Sequence, residues 1–317
     1  MSLFANISNP SNSSPNKFRF VSIGECMVEM APADKPGQFQ MGFAGDTFNT
    51  AWYVKTLAPE WATRYVSRVG MDDVSDQLVH MMDDAGIDTA HMQRSKTRGA
   101  GLYLISVQDG ERSFSYWRDH SAARQLADDE TALIAATEDA DIIYFSGITM
   151  AILDAAGRAK LLGVIKGARE AGKTIVFDSN LRPRLWANAE EMTQTVMQAA
   201  AASDIVLPSY DDEAAHFGDA DIFATRDRYL DTGASVVVVK DGAGEVHYSK
   251  DGQTGFVKPP VAERIVDTTS AGDSFNAGFL VGLAQTGSMQ DAIRLAATVA
   301  GQVIGQKGAL VPLALDT

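Results

Sequence analysis

The sequence predicts an α/β fold: a doubly wound, mostly parallel sheet between helices, with a small β-sheet lid. Three observations carry that expectation. Short apolar runs at residues 20–23, 142–145, 174–177, 204–207 and 235–239 read as strands covered on both faces. Segments with helical periodicity separate the later runs, and strands that alternate with helices imply a parallel sheet. Polar residues then gather where these strands end, which places a site along the carboxyl edge of the sheet.

Taken in order, residues 1–17 are rich in Ser, Asn and Pro and lack a basic region followed by an apolar core. They read as a disordered extension, not a signal peptide, with the folded domain spanning 18–317. The first strand ends at Gly24-Glu25. Residues 30–45 hold Pro32, Pro36, Gly37, Gly42 and Gly45, too broken for a helix. Within them Phe39 and Met41 alternate with Gln38 and Gln40, as in a half-buried strand outside the main sheet. A helix is expected from Asp46 to about Leu57. Residues 65–70 read as a strand, and Asp72 caps a helix whose Val74, Leu78, Met81, Met82 and Ala85 share a core face up to Gly86.

Residues 101–108 and 111–118 are β-like runs around Asp109-Gly110, a dipeptide that supplies the positive φ angles of a two-residue hairpin turn. Alternation puts Phe114, Tyr116 and Arg118 on one face. Neither 30–45 nor 99–121 fits the layers of the main domain, so both are assigned to the lid. Strand 142–145 leads into Ser146-Gly147 and a helix carrying Leu161, Val164, Ile165 and Ala168. Strand 174–177 ends in Asp178, and a helix starts near Ala189. One helix is expected between strands 204–207 and 235–239. Finally Ile265-Val266 reads as a strand entering a tight turn, followed by a buried helix with Phe275, Phe279 and Leu283 at i, i+4 and i+8.

The chain of 317 residues is 45% hydrophobic and 21% charged, ordinary for a soluble enzyme. Its net charge of −14 argues against nucleic acid, whose phosphates need a basic face. The single cysteine, Cys26, excludes a disulfide framework and a cysteine-based metal site. The five histidines show no ligand spacing. No apolar run approaches the ~18 residues of a membrane span, and the cytoplasm is the simplest compartment. There is no G-x-x-x-x-G-K-[ST] and no G-x-G-x-x-G after the first strand, which sets aside a P-loop enzyme and weakens a dehydrogenase.

The turn from Asp267 to Asp273 carries the sharpest signal. Small residues before a helix let free N–H groups converge on an anion, and the helix dipole adds to the attraction. A carboxylate beside such a nest, Asp273, is out of place unless it has a proton to take. A cap packed closely on a sheet would use the same residue types. Elsewhere on the edge stand Asn180, Arg182, Ser209, Asp211, Asp212, Lys240 and Gly242. Together they offer a base, carboxylates for hydrated Mg²⁺ and arginines for an anionic substrate.

The stretch Asp267-Thr268-Thr269-Ser270-Ala271-Gly272-Asp273-Ser274-Phe275 resembles the C-terminal signature of the PfkB, or ribokinase-like, sugar kinases. Gly42-Phe43-Ala44-Gly45-Asp46-Thr47-Phe48-Asn49 resembles that family's N-terminal glycine motif. The resemblance runs from about Phe20 to Pro312. Tyr116-Trp117-Arg118 and the stretch 178–186 look most like one branch, the 2-keto-3-deoxygluconate kinases.

The resemblance implies that Asp273 takes the proton from a primary hydroxyl as it attacks the ATP γ-phosphate. The backbone of Ser270, Ala271, Gly272 and Asp273 would form the anion nest. Gly45, Asp46 and Asn49 would hold sugar hydroxyls, and Tyr103, Tyr116, Arg118 and Arg182 would line the keto-acid end. Asn180, Ser209, Lys240, Gly242 and Gly244 would border the nucleotide, together with Ser270 and Gly272. Asp212 would order Mg²⁺ through water, and a monovalent cation such as K⁺ near Asp267 is left open. The implied partners are a sugar acid and ATP, and an exposed lid edge favours a homodimer.

Two departures stand out. Ser270 replaces the family's usual glycine, and Ser209-Tyr210-Asp211-Asp212 replaces Asn-x-x-Glu. Independently of the family, Arg118 and Arg182 suit a carboxylate, since a charge-assisted hydrogen bond is worth roughly 1.5–3 kcal/mol. A fructokinase and a non-catalytic sugar- or nucleotide-binding protein are the alternatives.

Overall fold

The structure is a computed structural model that describes residues 17–314, apart from 34, 36, 109 and 110. The extension expected over residues 1–17 therefore falls outside the described residues except for Lys17, as does the Asp109-Gly110 turn.

The chain begins with β1 (Arg19–Ile23), then β2 (Met27–Pro32), β3 (Phe39–Ala44) and α1 (Asp46–Leu57). Next come β4 (Ala62–Val66), β5 (Arg68–Val69), α2 (Asp73–Asp84), β6 (Gln93–Arg94), β7 (Leu102–Gln108) and β8 (Glu111–Trp117). The middle of the chain supplies α3 (Glu130–Thr137), β9 (Ile142–Ser146), α4 (Gly147–Ile152), α5 (Ala155–Glu170), β10 (Thr174–Asp178) and α6 (Ala189–Ala201). Then follow β11 (Ile205–Val206), α7 (Tyr210–Phe217), α8 (Ile222–Leu230), β12 (Val236–Val239), β13 (Val246–Lys250) and β14 (Gln253–Val257). Helices α9 (Ala271–Thr286) and α10 (Met289–Ile304) close the fold.

The main sheet has eight strands in the order β14-β13-β12-β11-β10-β9-β1-β4. All neighbours from β12 to β4 are parallel, and β13 and β14 add an antiparallel edge. Strand residues alternate between two cores, as the pleat requires. Ile142, Tyr144, Val236 and Val238 face one core with α1, α2, α9 and α10, while Ile143, Phe145, Val237 and Val239 face the other. The order reverses at β1, which pairs with β4 on one side and β9 on the other. In such sheets the crevice outside the strand ends at that point receives ligands.

A second sheet, β3-β2-β7-β8, stands apart from the first and uses both segments that did not fit its layers. Phe39 and Met41 lie on it, but both are exposed, not half-buried.

Several local expectations are revised. The strand expected at 65–70 breaks at Ser67, and β5 leaves the main sheet to pair with β6. Two helices, not one, fill the interval before β12. Gly218 ends α7 in the left-handed region (φ 74°) and the Asp221 side chain caps α8. Ile265 and Val266 form no strand; they lie in an exposed loop. The predicted face of α9 is as expected: Phe275, Phe279 and Leu283 are all buried.

Helix α9 is buried continuously from Ser274 to Leu283, and two glycines let it approach α10. A Cβ at Gly278 would stand 2.8 Å from the Ala296 Cα, and one at Gly282 would stand 2.9 Å from the Ala292 Cα. Only hydrogen fits at either position. Among the described residues no helix is long and apolar enough to cross a membrane.

Candidate active site

The carboxyl ends of β9, β10 and β12 meet the N-termini of α1 and α9, and the polar residues there form one connected network. At its centre is Asp273, in the first turn of α9. Its Oδ2 accepts from the Asn49 side-chain amide at 2.8 Å and from the Ser270 hydroxyl at 3.1 Å. Burial, above all, and the negative charges of Asp46 and Asp178 push its pKa up to about 7, against the two hydrogen bonds, which pull it down. The side chain is half-buried and keeps some surface on the cleft, so solvent tempers the rise without reversing it. A carboxylate tuned near neutrality suits a general base.

Ser270, the N-cap of α9, adopts φ 63° and ψ 12°. That is the left-handed region, which costs a residue with a Cβ about 1–2 kcal/mol. The Ala271 N–H donates to Thr268 O at 3.2 Å and closes the turn. Of the four positions expected in the nest, Ser270, Gly272 and Asp273 therefore keep amides without an intrahelical partner at the helix N-terminus.

Beneath the nest, Lys240 is buried, donating to Asn276 Oδ1 at 3.0 Å and lying 3.5 Å from Asp178 Oδ1. Its Nζ is 3.9 Å from where a Cβ on Gly272 would stand. It is expected at the nucleotide border, and its side chain is buried with its Nζ close under Gly272. Asn276 donates to Asp178 Oδ2 at 2.8 Å and to the Tyr144 hydroxyl at 3.0 Å. Asp178, Asn276 and Tyr144 were missed as site residues. Asn276 lies one turn beyond Asp273 on α9, a spacing that could have flagged it. Gly242 (φ 49°) and Gly244 lie in the turn that follows Lys240.

The expected sugar-binding residues separate into two groups. Gly45 precedes α1 with extended backbone; a Cβ there would stand 2.0 Å from Glu25 O, so only glycine fits. The Asn49 side-chain oxygen accepts the Gly45 N–H at 3.2 Å, so both ends of that amide are engaged, one by Gly45 and one by Asp273. Asp46 accepts from the Asn180 side chain at 2.7 Å, and burial first, then Asp178, raises its pKa. Asn180 itself takes φ 30°, a second non-glycine residue at positive φ in this cleft.

Of the other group, Tyr103 and Tyr116 lie on the small sheet and Arg118 just after it, while Arg182 lies between β10 and α6. The buried Tyr103 hydroxyl donates to Glu29, and its ring packs 5.9 Å from that of Tyr116, which is half exposed. Tyr116 also neighbours Phe114, with ring centroids 6.3 Å apart. Arg118 corrects the expectation placed on it: the guanidinium is buried and ion-paired with the buried Glu25. It supports Tyr116 from 5.9 Å and is not free to meet a substrate carboxylate. Arg182 is half exposed, 3.8 Å from Asp212 at the start of α7, where Ser209 is the N-cap.

One further residue escaped the sequence reading altogether. Arg112, on β8, is ion-paired with Asp267 and donates to the Thr269 hydroxyl at 3.2 Å, linking the small sheet to the turn before the nest. Burial alone would raise the pKa of Asp267. Arg112 and the amides of Gly308 and Thr269 outweigh it and hold that carboxyl below its ordinary range. No cluster of three or more His, Cys, Asp or Glu able to hold a metal occurs among the described residues.

Residues 17–315 match the model of the pfkB family carbohydrate kinases. The chain belongs to that family. It is similar to the 2-dehydro-3-deoxygluconokinase of Escherichia coli (strain K12), 38% identical over 299 residues that cover 92% of this chain and 96% of the relative. The Haemophilus influenzae 2-dehydro-3-deoxygluconokinase is also 38% identical, covering 91% and 94%. Among solved structures, a PfkB protein from Polaromonas sp. JS666 superposes with a TM-score of 0.80 at 26% identity, covering 91% of this chain and 96% of that one. A fructokinase with bound ATP from Xylella fastidiosa gives 0.78 at 26% identity, covering 93% and 94%. In this PfkB carbohydrate kinase, Gly272 and Asp273 both lie in the first turn of one helix, α9.

Proposed function

We propose that this kinase transfers the γ-phosphoryl group of ATP to the primary hydroxyl of 2-keto-3-deoxygluconate, giving 2-keto-3-deoxy-6-phosphogluconate. The observation that carries the chemistry is Asp273: a carboxylate at a helix N-terminus, beside free amides, with its pKa pushed up to about 7. The substrate assignment is supported by the likeness to the 2-dehydro-3-deoxygluconokinases along nearly the whole chain.

In this reading the substrate hydroxyl gives its proton to Asp273 as its oxygen attacks phosphorus. The Gly272 and Asp273 amides and the α9 dipole hold the charge on the transferring group, an electrostatic contribution that water could not preorganise. Asp46 and Asn180 accept and donate at the sugar hydroxyls. Tyr103 and Tyr116 form a wall for the sugar, and the small sheet acts as the lid. Because Arg118 is committed to Glu25, the substrate carboxylate falls to Arg182, whose nearest acid is 3.8 Å away and which is half exposed.

Gly242 and Gly244 border the nucleotide, and Lys240 stiffens the floor beneath its phosphates. Asp212 is a half-exposed carboxylate at the cleft rim, which fits a Mg²⁺ that keeps its waters and rides on the nucleotide phosphates. Such an ion would neutralise phosphate charge. The exposed aromatic surface of the small sheet fits a homodimer formed through it, which light scattering in solution checks.

The test is coupled ATP turnover across keto-deoxy sugar acids and neutral hexoses. Strong preference for 2-keto-3-deoxygluconate is expected; equal phosphorylation of fructose would overturn the sugar-acid reading in favour of a fructokinase.

A further inference from the structure

We propose that Ser270 is a positioning residue whose hydroxyl, with the Asn49 amide, occupies one oxygen of Asp273 and so dedicates the other to proton transfer. This rests on the reading of Asp273 as the base. Both side-chain donors land on Oδ2, at 2.8 Å from Asn49 and 3.1 Å from Ser270. A carboxylate oxygen that already accepts two hydrogen bonds is a poorer proton acceptor than its neighbour, so the substrate proton goes to Oδ1. The hydroxyl O–H bond breaks, an Oδ1–H bond forms, and the freed electron pair attacks the γ-phosphorus of a nucleoside triphosphate as the diphosphate leaves.

The backbone gives a second, independent reason to assign Ser270 a role. A serine at φ 63° keeps a Cβ where glycine would sit without strain, so its side chain must return something for its place. What it returns is visible: a bond from a residue that is itself buried, three positions before the base, with the Ser270 carbonyl accepting the Ser274 N–H at 2.9 Å to start the helix. From the facing element, Thr50 on α1 donates to Asp273 O at 3.3 Å, so side chain and backbone of the base are both held.

The other groups whose charge reaches Asp273 are Asp46 and Tyr53 on α1, Tyr144 on β9 and Asp178 on β10, the last neutralised in part by Lys240 after β12. None of them bonds to Ser270, so changes at Ser270 isolate the hydroxyl.

Ser270→Ala and Ser270→Gly separate the hydroxyl from the strain. Both delete the hydroxyl, while only glycine also relieves the left-handed backbone. The full-length, ligand-free protein is labelled with ¹³Cγ-aspartate, the Asp273 signal is assigned by its loss in Asp273→Asn, and the carboxyl is titrated by NMR. A donated hydrogen bond favours the charged carboxylate, so both variants are expected to titrate about one unit higher than the parent. Ser270→Gly should melt above the parent and Ser270→Ala should not. An unchanged titration in both, or a shift confined to one variant, would sink the proposal. Rates are followed with whichever sugar the parent turns over, and the acid limb should move upward equally in both variants. Failure of the parent to phosphorylate any sugar would overturn the kinase reading while leaving the titration to decide this one.

Discussion

At the floor of the cleft Asp178, Lys240, Asn276 and Tyr144 are buried and joined by hydrogen bonds that span β9, β10, β12 and α9. On the small sheet, by contrast, Tyr116 is 50% and Trp117 60% exposed, and Phe39, Met41 and Phe114 also reach solvent. The floor fixes its groups by removing alternatives: a polar atom in that interior has one set of partners or pays the full desolvation cost. The small sheet fixes little and offers aromatic area. In the proposed reading, chemistry is thus placed on the buried floor and recognition on the exposed sheet. Arg112, the Arg118–Glu25 pair and an apolar cluster with Ala309 tie the small sheet to the rest.

This contrast can be broken by substitution. The largest expected effect is at the base. Asp273→Asn should lower kcat by roughly 10²–10⁴-fold with KM for ATP nearly intact, measured by steady-state kinetics; a silent binding protein would show retained affinity and no rate to lose. Next is the floor's stability. Lys240→Met leaves the buried Asp178 without its cation, and breaking a buried pair costs about 3–5 kcal/mol, with the 3.5 Å separation favouring the lower end. Urea unfolding should show a lower midpoint with an unchanged slope.

Smaller effects are expected at the recognition surfaces. Arg182→Ala removes a charge-assisted hydrogen bond worth about 1.5–3 kcal/mol, so KM for the keto-acid should rise roughly 10–100-fold with kcat much less affected. As pH falls through a pKa pushed up to about 7, the rate should fall, approaching tenfold per unit well below it, because a base acts only when deprotonated. With an ordinary carboxyl the profile would be flat from pH 5 upward, and a flat profile would contradict the tuned base. Tyr116→Ala should be mildest, raising KM by up to about tenfold from a lost aromatic contact. If it lowered kcat as much as Asp273→Asn, the division between floor and sheet would fail.

What could be read from the sequence follows from what is local. Strand and helix alternation, the Asp72 cap and the apolar face of α9 depend on neighbours within a few residues, and these were legible. The edge hairpin β13–β14 was overlooked although Asp251-Gly252 carries the same turn chemistry as Asp109-Gly110; Asp251 takes φ 51° and Gly252 φ 77° there. Ile265-Val266 misled because β-branched residues suit a strand only when another strand pairs with them, and here none does.

At the site, Asp273 could be picked out because a carboxylate in a stretch of small residues is conspicuous. Arg112 and Arg118 could not be sorted. Both lie on a hairpin that reads as a solvated edge, and their acids, Asp267 and Glu25, are 155 and 93 residues away.

The contact of α9 with α10 has a reach beyond packing. Gly278 sits five residues after Asp273, about 7.5 Å along the axis at 1.5 Å per residue. A methyl group added at Gly278 would meet the Ala296 backbone and would have to be relieved by a shift of α9 or α10, and where α9 gives, a rigid rod transmits the tilt along its length. The Asp273 carboxylate would then shift relative to Asn49 on α1, whose amide it accepts. The hydrogen atom on Gly278 is, in this mechanical sense, part of what holds Asp273 in place.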